Sequence, residues 1–307
     1  MGAGLLLAAF ATADDLLVAS LHGDSVLRYS GTTGAFLGVF ADTHMDGPQS
    51  VVVGPDGNVY VGSEYSGNVS RWSPSGSYLG DLVTGLPGPN QVRFGPDGHL
   101  YVLNHITGDP APVYKFDGTS GAFMGFVAPG AGPGHTHGLA FRSDDHLFVG
   151  NIGAMEIHHS GPLGVGDLGV FGGGPSISIA SHMEFGPDGH LYVSNPLDAG
   201  FLVGGVIRFD GLTGAPLGTF SDVGAPVGTW GMTWHGTDMF YAVGGGVAKV
   251  DATTGGLASV FVTPGSGGMT VATGITFVSA VPEPATLLVM GAGLAALLRR
   301  RVRRTAL

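Results

Sequence analysis

The chain has 307 residues, 57 of them glycine, no cysteine, and only 11% charged residues. The missing cysteine excludes disulfides and thiolate chemistry, and the glycines follow no three-residue period, which excludes collagen. Between residues 14 and 280, seven Lys and Arg stand against twenty-two Asp and Glu, a formal balance of −15 that argues against nucleic acid or an anionic lipid surface as partner of this body.

The amino end, MGAGLLLAAFATADD, joins a short apolar run to Ala11-Thr12-Ala13 and two aspartates. An A-x-A triplet before an acidic start reads as a secretory cleavage site, so residues 1–13 are predicted to be a signal segment, a short one without basic leading residues. DLLVAS (15–20) then opens a body, residues 14–280, built from repeats.

Three segments are nearly superimposable: SVVVGPDGNVYVGS (50–63), QVRFGPDGHLYVLN (91–104) and HMEFGPDGHLYVSN (182–195). GLAFRSDDHLFVGN (138–151) and GMTWHGTDMFYAVG (231–244) are degenerate copies. Each is an apolar run, a turn and a second apolar run. Gly-Pro-Asp-Gly suits the turn because Pro presets its first corner and the last Gly accepts a positive φ, so each copy is a β-hairpin. A second hairpin follows in RYSGTTGAFLGVF (28–40), KFDGTSGAFMGFV (115–127) and RFDGLTGAPLGTF (208–220), with looser versions at 71–83 and 248–262. Four strands per unit at a period in the forties predict a blade of an all-β propeller.

The residue before each turn falls at 54, 95, 142, 186 and 235. DLLVAS aligns with NVYVGS (58–63) and therefore lacks the strand that should precede it. GITFV (274–278) aligns with QVRFG, GLAFR, HMEFG and GMTWH and has no hairpin after it. The predicted fold is thus a six-bladed β-propeller closed by pairing of its amino- and carboxyl-terminal strands, which buries two edges that would otherwise invite aggregation.

The remaining residues, 281–307, read VPEPATLLVMGAGLAALLRRRVRRTAL from Val281. Pro282, Glu283 and Pro284 precede fourteen uncharged residues and then Arg299, Arg300, Arg301, Arg303 and Arg304. A fourteen-residue helix is about 21 Å long, short of a hydrocarbon core of roughly 30 Å. Flanking arginines can snorkel and would stay cytoplasmic, so a short hydrophobic helix here would place the body outside the membrane.

This tail resembles the PEP-CTERM sorting signal of Gram-negative bacteria: a Pro-Glu-Pro motif, a short hydrophobic helix and an arginine-rich end. The resemblance implies export, inner-membrane anchoring, processing by an exosortase-type enzyme and a final place at the cell surface or in an extracellular matrix. It also implies exopolysaccharide, or another surface component, as a partner. The FGPDGHLYV turns, with Asn104, Asn151 and Asn195 after the second strands, resemble the NHL and streptogramin-lyase-like six-bladed propellers. That resemblance informs fold more than activity.

In a propeller, the loops entering the inner strands and those joining the second and third strands share one face. Gln49, Asn90, His135, His137, His182 and Trp230 stand at the entries; His22, Glu64, Asn104, His105, Asn151 and Asn195 stand in the other loops. His22, His105, His137, His182 and Glu64 are the candidate ligands of a divalent metal (Zn, Mg or Ca), because neutral imidazoles and a carboxylate are the donors that activate a bound water. The streptogramin-lyase-like resemblance implies such a His and Glu set, but Asn195 and Gly244 stand where later blades should repeat it. Two functions follow. The first is non-catalytic ligand or matrix binding with no cofactor; the alternative is a metal-dependent lyase or lactone hydrolase. His99 and His190, after the GPDG turns, and the pair His158–His159 are expected at the surface. Trp72, Trp230 and Trp234 occupy strand positions and are expected to pack.

Overall fold

The structure, a computed structural model, describes residues 14–105, 113–128, 136–151, 155–173, 180–195, 205–222, 228–251 and 253–279. The predicted signal segment, residues 281–307 and the short helix expected there lie outside these residues. Among the described residues the helical pieces are two 3-10 turns, Leu21–Gly23 and Ser266–Gly268, and no helix is long and apolar enough to cross a membrane.

The chain begins with β1 (Asp15–Ser20), β2 (Ser25–Ser30) and β3 (Phe36–Ala41). The second blade is β4 (Pro48–Val53), β5 (Val59–Ser63), β6 (Asn68–Trp72) and β7 (Tyr78–Val83). The third is β8 (Pro89–Phe94), β9 (Leu100–Asn104), β10 (Val113–Phe116) and β11 (Phe123–Val127). The fourth is β12 (Thr136–Phe141), β13 (His146–Asn151), β14 (Glu156–Pro162) and β15 (Asp167–Gly173). The fifth is β16 (His182–Phe185), β17 (Leu191–Asn195), β18 (Gly205–Phe209) and β19 (Pro216–Asp222). The sixth holds β20 (Thr229–His235), β21 (Asp238–Val243) and β22 (Gly246–Asp251); then β23 (Gly256–Leu257) adds a parallel strand to β19, and β24 (Ser259–Val262) completes the blade.

The last strand, β25 (Ala272–Val278), returns to the first blade and pairs antiparallel with β1, setting Asp15 opposite Val278, Leu17 opposite Thr276 and Val18 opposite Ile275. The ring therefore closes as the repeat arithmetic predicts, with the sheet order β25-β1-β2-β3.

Six apolar clusters each bridge two neighbouring blades. Leu16, Val18 and Ile275 meet Phe240 and Val262 across the junction of blades one and six, while Leu17 and Ala19 turn the other way onto Val51 and Val59 of blade two. Both faces of a blade are covered, which is why the second strands read as continuous apolar runs (LLVA, LYVL, LFV) rather than alternating ones.

The GPDG turns have the predicted geometry, with Gly57, Gly98 and Gly189 at φ 78°, 75° and 77°. They are also tied to their blades. Asp56, Asp97 and Asp188 accept hydrogen bonds from the hydroxyls of Tyr60, Tyr101 and Tyr192, four residues on, at 2.9, 3.0 and 2.8 Å. Burial, reinforced by that aspartate, pushes the Tyr60 and Tyr192 hydroxyls up to about 12. His99 and His190 do lie on the turn face, but they are half-buried links between two turns. Their Nδ1 atoms accept from the backbone N–H of Gly118 and Gly211, each at 3.4 Å. The glycine of the second-hairpin turn joins blade to blade: Gly121 (φ 72°) seats against the carbonyl of Leu82 in the preceding outer strand, where a Cβ would overlap it. The pair His158–His159 is not solvated. His159, on the interior strand β14, stacks on Phe148 at 4.5 Å and bonds to His146 at 2.7 Å, both on the neighbouring strand β13.

Every outer strand slips register. In β3, β7, β11 and β19 the residue before a glycine, namely Leu37, Leu79, Met124 and Leu217, is left out of the ladder. Such bulges bend the edge and stop its hydrogen-bonding row. A further slip turns Phe40 and Phe220 inward onto the clusters.

Candidate functional site

The inner strands β25, β4, β8, β12, β16 and β20 surround a central channel. In five of the six, a register shift at the start of the strand re-aims one residue toward the axis. One residue per blade forms the resulting throat: Thr273, Gln49, Asn90, His137, Ser181 and Trp230. The aligned positions one step further carry Gly274, Ser50, Gln91, Gly138, His182 and Gly231, and those two residues beyond carry Thr276, Val52, Arg93, Ala140, Glu184 and Thr233.

Glu64 and His105 stand beside the throat, in the loops after β5 and β9. The Glu64 carboxylate is engaged at both oxygens. Gln49 Nε2 donates to Oε2 at 2.5 Å, and His105 Nδ1 lies 2.8 Å from Oε1. The His137 ring meets the His105 ring edge-on at 4.8 Å between centroids. The hydrogen bond from His105 holds the Glu64 carboxyl below its ordinary value against the opposing effect of burial, and Gln49 adds to it. Glu64 in turn raises the His105 imidazole, again against burial.

Thus Glu64, His105 and His137 are brought together, as the sequence pattern anticipates for neighbouring blades. His182 sits one layer deeper than an entry position, and His22 is exposed on the 3-10 turn between β1 and β2. Among the described residues no three His, Asp or Glu side chains stand as a metal-ligand group. His135 lies outside those residues. Asn104, Asn151 and Asn195 are buried at the ends of their strands rather than lining the rim. Trp72 is buried, Trp234 packs on Tyr192, and Trp230 borders the throat.

Below the throat a polar plug crosses the channel between blades three and five. The Gln91 side-chain amide lies 3.2 Å from His182 Nδ1. Beneath it Arg93 and Glu184 form a two-pronged ion pair, at 2.5 and 3.1 Å, and Arg93 Nη2 reaches to 3.4 Å from His182 Nε2. Burial lowers the His182 imidazole and keeps it neutral, although Glu184 opposes this. Burial alone would raise Glu184, but the Arg93 charge and His182 outweigh it and hold the carboxyl low. Gln91, Arg93 and Glu184 are missed when single motifs are sought, and His182 is found only as a rim candidate. Their signal is the alternation within aligned inner strands, where R of QVRFG and E of HMEFG replace V and T. The plug leaves a space of about 20 Å³ above it, room for about one water, and a cavity of about 220 Å³ below.

Charge is segregated. Of the seven Lys and Arg in the body, Arg93 is in the channel and the others serve the turn end: Arg28 pairs with Asp15, Lys115 with Asp97, Arg142 with Asp144 and Lys249 with Asp238, while Arg71 and Arg208 approach Tyr60 and Tyr192. Among the described residues, Asp24, Asp46 and Glu64 on the rim therefore have no Lys or Arg partner, and Glu64 has the His105 imidazole.

The profile of the PEP-CTERM protein-sorting motif matches residues 280–304, which include Pro282, Glu283, Pro284 and Arg299 to Arg304. No curated protein matches the chain in sequence. Similar solved structures share the fold at low identity. One is a nidogen/laminin complex (13% identity, TM-score 0.68, covering 86% of this chain and 98% of the other). A second is a gluconolactonase from Xanthomonas campestris (18%, TM-score 0.62, 77% and 82%). A third is a protein of unknown function from Bacteroides caccae (11%, TM-score 0.63, 87% and 100%). The motif implies export, membrane anchoring before sorting, and processing by an exosortase-type enzyme. The chain is a six-bladed β-propeller that carries a PEP-CTERM protein-sorting motif at its carboxyl end.

Proposed function

We propose that the propeller is an exported, surface-sorted binding protein whose rim around Gln49, Glu64, His105, His137 and Trp230 takes a surface or matrix component, such as exopolysaccharide, without turning it over. One observation carries this reading: both oxygens of Glu64 are already engaged, by Gln49 and His105. A carboxylate tied on both sides orients a recognition surface and is poorly placed to act as a base. Asp24 and Asp46, which face no Lys or Arg among the described residues, favour a neutral or cationic ligand over an acidic one. Val278, the end of β25, lies at the turn face beside Asp15, opposite the rim.

The proximity of His105, His137 and Glu64 supports a second reading, a metal-dependent lactone hydrolase or lyase, and the gluconolactonase shares the fold. Metal analysis of the purified protein, together with a lactone turnover screen, separates the two. The binding reading expects no stoichiometric divalent metal and glycan binding that weakens in Trp230→Ala and His137→Ala. Stoichiometric metal that is lost in both Glu64→Gln and His105→Ala, with turnover abolished by a chelator, would establish the hydrolase instead.

A further inference from the structure

We propose that the lower half of the channel is a second binding site, separate from the rim, for a neutral polyhydroxylated molecule of monosaccharide size. Its cavity, about 220 Å³, lies beneath the plug and extends to Val53 and Phe94 at the turn end of the inner strands. Gln91 and His182 wall it off from the throat. At the level where blades three and five carry Arg93 and Glu184, blades one and six carry the smaller Thr276 and Thr233.

The lining selects the ligand. Arg93 and Glu184 compensate each other, so a charged ligand would have to break a pair whose members are mostly enclosed, with side-chain exposures of 21% and 20%. A neutral one need only add hydrogen bonds to the lone pairs and N–H groups the pair leaves over. Across the cavity, the hydroxyls of Thr233 and Thr276 have no protein partner among the described residues, and each both donates and accepts, as a sugar hydroxyl does. Val52, partly exposed, supplies an apolar wall for the C–H face of a ring. A few placed polar groups on an apolar wall is the usual composition of a small-molecule site.

Calorimetric titration of the full chain with glucose, galactose, mannose and xylose tests this, with gluconate and glucosamine as charged counterparts. The expected result is saturable one-site binding of at least one neutral sugar, weakened about tenfold or more in the isosteric Thr233→Val/Thr276→Val variant and lost in Val52→Phe, which fills the cavity. If Val52→Phe fails to fold, the threonine pair decides alone. The proposal is overturned if no neutral sugar saturates or if a charged counterpart binds better. It is also overturned if binding survives the threonine substitutions, or if it is lost in Glu64→Gln while Val52→Phe retains it, which would place the sugar on the rim.

Discussion

Ring closure rests on β25, and Ile275 is the residue through which its contribution can be weighed. Its side chain is 4% exposed and packs with Leu16, Val18, Phe240 and Ala242 at the junction of blades one and six. Ile275→Ala removes three carbons, a transfer loss of about 2.4 kcal/mol at roughly 0.8 kcal/mol per methylene. The void left behind cannot collapse easily between two sheets, so the full cost is expected at about 3–4 kcal/mol. Urea unfolding followed by tryptophan fluorescence measures it. Val260→Ala, at a site 70% exposed on the outer strand β24, is the matched control and should stay within about 0.5 kcal/mol. A cost below about 1 kcal/mol for Ile275→Ala, or one equal to the control, would mean that the last strand does not hold the ring shut.

Gly121→Ala should destabilise by more than about 1–2 kcal/mol, since a side chain there meets both a left-handed backbone and the Leu82 carbonyl; thermal melting checks it. Arg93→Met should cost about 2–4 kcal/mol by stranding Glu184, and adding Glu184→Met should recover most of it. A double-mutant cycle with additive costs would refute coupling across the channel. His105 titrates above an ordinary histidine, so its charged form contributes stability that is complete below the unfolded value and lost as pH rises through the raised one. Glu64, held low, contributes above the ordinary carboxylate value and loses this as pH falls through its lowered one. The pair is therefore most effective between the two. Glu64→Gln should bring the His105 NMR titration midpoint down, and an unmoved midpoint would disprove the link.

The blades, their turns and the joining of the two ends were legible because GPDG punctuates the chain and a strand without a hairpin can be matched to a hairpin without a strand. The association of Glu64 with His105 was legible too, because equivalent loops of adjacent blades must be neighbours. Arg93 and Glu184 were not, since they lie 91 residues apart on blades that do not touch in sequence order and meet only across the axis. His182 appeared to be a rim residue because the slip that starts the other inner strands is not visible in their composition. His159 looked exposed for a similar reason: its cover, Phe148, belongs to the neighbouring strand of an irregular blade.

The slipped outer strands bear on how copies of the chain meet side by side. Each molecule presents six rims of sheet, several studded with exposed Phe, Leu or Met, as at Phe123, Met124 and Phe126. Straight strands of that character would let adjacent copies zip together laterally. Leu37, Leu79, Met124 and Leu217 interrupt that template, so neighbouring copies find no continuous row of backbone donors and acceptors to extend.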